Sequence, residues 1–194
     1  EVLSAGQSID TAVKVTIPEG YTVRQTARLL ADQGVTNEQD FLIVAKDGNL
    51  VSTYFADGVT DNTTFKWEGF LFPDTYFFSP NTAAKEIAQR MLARMDEIWA
   101  EETQGLTDLP VNLSPRELVT MASLVEREAM VDNERPLVAA VFYNRLQRNM
   151  LLQSCATVQY LFPEQKPVLS TQDTQTPSPY NTYLHVGLPP GPIA

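Results

Sequence analysis

The placement of its thirteen prolines constrains this 194-residue chain more than any other feature. Proline fixes φ, lacks the amide hydrogen that a helix interior needs, and biases the residue before it toward extended backbone. Seven of the thirteen fall after residue 160, in "FPEQKP", "TPSP" and "GLPPGP". That part is expected to run as ordered extended segments with short helices or strands, rather than as a second helical layer. Upstream, proline-free stretches leave room for long helices. A composition of 43% hydrophobic and 20% charged residues suits a globular chain with a real core. The length allows one domain, or a small module joined to a larger one.

In "AVKVTIPEG", Val13, Val15 and Ile17 alternate as a strand that ends at Pro18 to Gly20. "TVRQTARLLADQG" follows as a helix with Thr22 as cap and Gly34 as stop, and a second helix runs from about Asn37 to Gly48. A returning strand near Leu50 to Phe55 is expected to complete this unit. The polar stretch from Ala56 to Thr64 reads as a boundary. Next, "WEGFLFPDTYFFSP" is either a turn-rich piece packed on the core or a cleft wall, since its rings stand beside Glu68 and Asp74.

Thr82 to Glu102 is the clearest long helix, turning Ile87, Met91, Met95 and Ile98 or Trp99 inward, the methionines as core filler. "LSPRELVTMASLVEREA" opens another, with Ser114 as cap, Pro115 in the first turn and Glu117 closing a capping box. A third, from about Glu134 to Gln147, is expected to face Leu137, Val138, Val141, Phe142 and Leu146 inward. The class is α+β.

Several functions are disfavoured. A net charge of −10 provides no broad basic surface for a nucleic-acid backbone. Cys155 is the only cysteine, which excludes an internal disulfide and reads as a buried thiol; His185 is the only histidine, and no metal-ligand spacing surrounds it. There is no serine-nucleophile elbow and no glycine-rich phosphate loop, and neither metal nor cofactor is called for. The longest apolar run, Leu137 to Tyr143, is far short of the approximately 20 residues that span a bilayer. "EVLSAGQSID" has neither the basic nor the apolar region of a signal peptide, so any anchor is expected outside this stretch.

"MASLVEREAM" carries two carboxylates on a helix. On a wheel with Leu118 at zero, Ala122, Val125 and Ala129 lie within about 40 degrees of it and form the expected buried stripe. Glu126 and Glu128 then flank that stripe on opposite sides, near plus and minus about 80 degrees, and cannot act as a same-face pair. Each is an ordinary boundary charge or a cleft carboxylate. Ala122 and Ser123 leave room over Glu126, whereas Met121 and Leu124 crowd Glu128, which favours Glu126 as a general acid. A two-carboxylate hydrolysis drawing on Glu68, Asp74, Glu126 and Glu128 stays open.

In "SPYNTYLHVGLPPGP", three hydroxyls and an amide, from Tyr180, Asn181, Thr182 and Tyr183, stand between proline-rich constraints. Such fixed donors and acceptors suit a sugar or peptide, or else a rigid packed edge. "LLQSCATVQY" offers Gln153, Ser154, Thr157 and Gln159 in a similar mixture.

"IPEGYTV", "EGFLFPDTY", "ASLVEREA", "RPLVAAVFYNRL", "LQSCATVQY" and "SPYNTYLHVGLPPGPIA" together resemble the endolytic murein transglycosylase family, also called YceG-like, over nearly the whole chain. The resemblance implies a lytic enzyme that cuts peptidoglycan glycan strands between N-acetylmuramic acid and N-acetylglucosamine and leaves a 1,6-anhydro end. It implies Glu126 as the catalytic glutamate, Glu128 as a supporting residue, and Glu68, Gln153, Thr157, Tyr180 and Asn181 at the substrate. It also implies a LysM-like glycan-binding module in residues 1–60, before a helix-rich catalytic domain in residues 61–194 that continues past "GLPPGPIA" in the family. The family's members are held in the cell membrane by a single N-terminal anchor, with the catalytic region on the extracytoplasmic side and cell-wall synthesis machinery as possible company. Many relatives carry an acidic residue where this chain has Cys155. A non-catalytic glycan-binding or scaffold protein and a muramidase-type hydrolase are the competing expectations.

Overall fold

β1 (Val13–Thr16) forms where the alternation places it, but its partner is not the one expected. It pairs antiparallel with β2 (Thr75–Phe78), Val13 opposite Phe78 and Thr16 opposite Thr75. The computed structural model describes residues 12–56, 61–105 and 111–194. Residues 57–60 of the expected boundary, and the first eleven residues, lie outside them.

Leu50 to Phe55 is not a strand, because side chains of a helix take up its backbone groups. Gln89 bonds both the amide and the carbonyl of Val51 at 2.9 and 2.7 Å, and Asp96 accepts from the Ser52 hydroxyl and the Thr53 amide. A ladder is thereby forestalled. β2 instead comes from the aromatic stretch, where alternation sends Tyr76 and Phe78 inward and leaves Phe77 exposed.

The helices follow their local signals. α1 (Val23–Asp32) begins with a full capping box between Thr22 and Gln25, and Gly34 lies just past its end at φ 69°. α2 (Glu38–Asp47) is capped by Asn37, and α3 (Ala84–Glu102) buries Ile87, Met91 and Leu92 with Met95 and Trp99 packed beside them. α4 (Pro115–Glu128) has the expected Ser114 and Glu117 box with proline in its first turn. α5 (Arg135–Gln147) and the short α6 (Cys155–Gln159) complete the set. The proline-rich remainder is turns, a 3-10 turn at Asp173–Gln175, and a single bridge from Leu151 to Val186.

Two cores meet on α4. One joins β1, α1, α2, the aromatics Trp67, Phe70, Tyr76 and Phe78, and α3, and it reaches Val119. The other gathers Met121, Leu124 and Val125 with Phe142, Leu152, Tyr160, Tyr180 and Ile193. With cores on two sides, the expected stripe is wrong. Among its members only Val125 is buried, Ala122 is exposed, and the buried face lies on the opposite side through Arg116, Thr120, Ser123 and Leu124. The polar members of that face are satisfied internally. Arg116 donates to the carbonyls of Phe55 and Lys66 at 2.6 and 2.5 Å while lying 4.2 Å over the Phe70 ring, and Ser123 receives the Ile193 amide. Burial lowers Arg116 to about 10.

α5 departs too. Only Phe142 is buried, while Leu137 and Val141 are 69% and 44% exposed, so two of the five residues expected inside face outward.

Candidate active site

A cleft of about 340 Å³ opens between the β1–α1 loop and α4. Ile17, Pro18, Gly20 and Tyr21 line one side; Val119, Ala122, Ser123 and Glu126 line the other; Leu71, Phe72 and Pro73 of the aromatic stretch contribute as well. The aromatic stretch therefore supplies both core and cleft wall, although Asp74 does not line the cleft. Trp67, Phe70, Tyr76 and Phe78 fill the core, and the turn between them forms cleft wall.

Glu126 projects from the last turn of α4, one turn after the exposed Ala122 whose small side chain leaves the carboxylate accessible. Its Oε2 lies 3.0 Å from Nη2 of Arg135, with side chains 33% and 44% exposed. The same guanidinium nitrogen is 3.4 Å from Asp132. At this exposure the pair orients the carboxylate more than it stabilises the fold. Backbone approaches from the other wall. Gly20 adopts φ 72°, and a Cβ added there would stand 3.9 Å from Oε1 of Glu126.

Glu68 lines the same cleft but is only 1% exposed. Its Oε1 accepts the Val23 amide at 2.6 Å, at the start of α1, and its Oε2 accepts the Tyr160 hydroxyl at 2.9 Å. Burial pushes this carboxyl up to about 7, against the lowering effect of those two hydrogen bonds. Tyr160 is raised well beyond the usual phenol range, chiefly by its own burial and then by the facing carboxylate.

The other candidates are dispersed. Glu128 points to the opposite flank of α4, where Oε1 accepts the Ser154 hydroxyl at 2.5 Å and the Ala156 amide at 3.3 Å and ties down the start of α6. Gln153 stands beside it in a second groove with Leu137, Val138 and Arg145. Thr157, Tyr180 and Asn181, expected at the substrate, are 0%, 2% and 0% exposed. Thr157 bonds Thr182, the Tyr180 hydroxyl accepts the Thr64 amide, and Asn181 donates to the carbonyls of Thr174 and Thr176. Their polar groups are consumed inside the protein, which makes them supports of the proline-rich segment, with Tyr180 packed 5.0 Å from the Tyr160 ring. Asp74 accepts the Thr75 amide and pairs with Arg94 at 3.1 Å, and these, the amide first, lower its carboxyl. Of four carboxylates considered for a hydrolytic pair, the cleft thus holds Glu68 and Glu126.

Cys155 is exposed, contrary to the buried thiol expected. It is the first residue of α6, whose following Ala156, Thr157 and Val158 take the interior positions, and its Sγ lies 3.1 Å from the Tyr183 hydroxyl. Among the described residues no group of three His, Cys, Asp or Glu side chains is arranged for a metal, and no helix is long and apolar enough to cross a membrane.

Two cleft contributors escaped the sequence reading. Arg135 lies beyond the end of α4 at Glu128, in the first turn of α5, so no helical spacing links it to Glu126. The only hint was Pro136, which marks the start of α5 beside it. The other is the turn after β1: Pro18 to Gly20 signals only a strand end in the sequence, yet with Tyr21 it lines the cleft.

A family model described as the YceG-like family matches residues 1–194. An endolytic murein transglycosylase of Bacillus subtilis (strain 168) is 35% identical over 192 residues, covering 94% of this chain and 53% of that protein. One from Streptococcus pneumoniae serotype 2 (strain D39) is 36% identical over 198 residues, covering 92% of this chain and 36% of that protein. The crystal structure of a yceG-like protein from Listeria monocytogenes superposes with a TM-score of 0.85 at 34% identity, covering 94% of this chain and 63% of that one. The chain therefore spans about half the length of its Bacillus relative and about a third of the pneumococcal one.

Proposed function

From the premise that the chain belongs to the YceG-like family, we propose that it is the cleft-bearing part of an endolytic peptidoglycan lytic transglycosylase, with Glu126 as its acid and then its base. One observation carries the assignment of the residue. Of the two glutamates of "VERE", Glu126 opens into the cleft, whereas Glu128 is turned away into bonds with Ser154 and Ala156.

In the proposed reaction, protonated Glu126 donates to the bridging oxygen as the bond from C1 of N-acetylmuramic acid breaks. The resulting carboxylate then takes the proton of the 6-hydroxyl on the same sugar, whose oxygen closes on C1. The nucleophile belongs to the substrate, so one carboxyl serves both steps and the proton count balances. Arg135 is placed to hold the carboxylate form with which the second step begins. The walls of Pro73, Phe72 and Leu71 present apolar surface to the faces of sugar rings. Glu128, Tyr180, Asn181 and Thr157 act in this reading by fixing α6 and the proline-rich segment behind the cleft, and Gln153 stands outside it.

The LysM-like module of the proposal, taken as residues 1–60, contains β1, α1 and α2 but not the strand that pairs with β1, which is β2 at Thr75–Phe78. Since murein lies outside the cell membrane, the proposal places this part on the extracytoplasmic side.

Digestion of glycan strands with the protein and with Glu126→Gln tests the reading by mass. Anhydro-ended products that vanish in the variant are expected. Products heavier by one water would instead identify a hydrolase, and binding without new ends a scaffold protein.

A further inference from the structure

The Pro18 to Tyr21 turn is held from three directions. The Ile17 amide donates to the Asp74 carbonyl at 2.9 Å on its entry side. Thr22 immediately after it is locked in the α1 capping box, and Val23 is bound by buried Glu68 at 2.6 Å. These bonds fix the turn on its own side of the cleft, and from α4 the Arg127 guanidinium donates to the Gly20 carbonyl at 3.5 Å. Gly20, within it, brings backbone to the Glu126 carboxylate at a left-handed φ that side chains rarely adopt. Substitution there is disfavoured by conformation alone.

On this fixed turn stands Tyr21. Tyr21 lines the cleft and, as a whole residue, is 37% exposed, and among the described residues it has no aromatic partner and its hydroxyl no hydrogen bond. It shares the cleft lining with Glu126 and Arg135. It has the shape of a platform: a flat apolar face with a polar edge, rigid at two side-chain torsions. Pyranose rings carry axial C–H groups on one face, and such a face stacks on an aromatic ring while hydroxyls around its rim remain free to hydrogen-bond.

Resting on the reading that Glu126 cuts glycan, we infer that Tyr21 is a sugar-stacking, specificity-determining residue. It holds the pyranose adjoining the bond to be broken, so that the N-terminal unit supplies one wall of the active site. Its contact is with substrate before and during reaction alike, so its loss raises KM and leaves kcat nearly unchanged.

The test uses uncrosslinked glycan strands and the variants Tyr21→Ala, Tyr21→Leu and Tyr21→Phe. Tyr21→Ala and Tyr21→Leu are expected to raise KM roughly five- to tenfold, and Tyr21→Phe, which keeps the ring, to restore it. The leucine variant keeps apolar bulk on the turn, so a shared effect in two folded variants reports the missing ring. An unchanged KM in both, or a fall in kcat alone, overturns the inference while leaving Glu126 in place. If the wild-type chain cuts nothing, the proposed function fails, and retention of the same strands on immobilised protein decides this point separately. Weaker retention by Tyr21→Ala supports the platform and equal retention overturns it.

Discussion

Both oxygens of Glu68 are occupied, one by the Val23 amide and one by the Tyr160 hydroxyl, and the group is buried. Its folded pKa, about 7, lies above the ordinary 4.5. Between those values the native chain retains a proton that the unfolded chain has lost, so this residue makes stability fall as pH rises through that window. At about 1.4 kcal/mol per unit, the loss is on the order of 3 kcal/mol and is complete above the folded value. Glu68→Gln is expected to flatten this slope, and urea unfolding of both proteins at pH 5 and pH 8 measures it. Gly69, next in sequence, shows a different constraint. At φ 75°, an added Cβ would lie 2.4 Å from Cβ of Pro192 and 2.8 Å from the Ala194 carbonyl oxygen. Gly69→Ala is expected to cost roughly 2–4 kcal/mol and to loosen residues 191–194 from the cleft, seen as a lowered Tm and faster amide exchange at Ile193. Neither Glu68's burial nor Gly69's crowding is visible in "WEGF", because the groups that cause them lie far along the chain.

Among the elements, α4 separates what a local pattern reveals from what it hides. Its start is legible in Ser114, Pro115 and Glu117, since the capping box closes within one turn. Ser114→Ala is expected to cost about 1 kcal/mol, checked by thermal unfolding. Its buried face was not legible, because hydropathy assumes one core and α4 has two. Arg116, ordinarily a surface residue, is the clearest case, its guanidinium serving two backbone carbonyls from separate segments. Arg116→Met would leave the Phe55 and Lys66 carbonyls without these donors and is expected to destabilise by roughly 2–5 kcal/mol in denaturant unfolding. The exposed Leu137 and Val141 show the same limit on α5: apolar spacing identifies a helix without saying which neighbour reaches it.

Across the whole molecule, the sheet and the first core tie residues before position 60 to those after it. Among the described residues β1 is paired only with β2, and Val15, Leu30 and Phe41 pack in one cluster with Trp67, Ile87 and Val119. A fragment beginning at residue 61 would leave β2 unpaired and uncover that cluster. It is expected to lose cooperative unfolding, measured by circular dichroism against the chain from residue 12 onward.

The preference for Glu126 over Glu128 came mostly from the family resemblance, whereas helix positions, their caps and the short segments of the last third could be derived from residues a few positions apart. They depend on helical period, proline geometry and side-chain size, which are local. Tertiary structure decided the partner of β1, the buried side of α4, the enclosure of Glu68, Thr157, Tyr180 and Asn181, and the meeting of Gly20, Arg135 and Glu126 in one cleft. Each of those depends on which distant surface arrives, and that is set by the joint packing of two cores rather than by any single stretch of sequence.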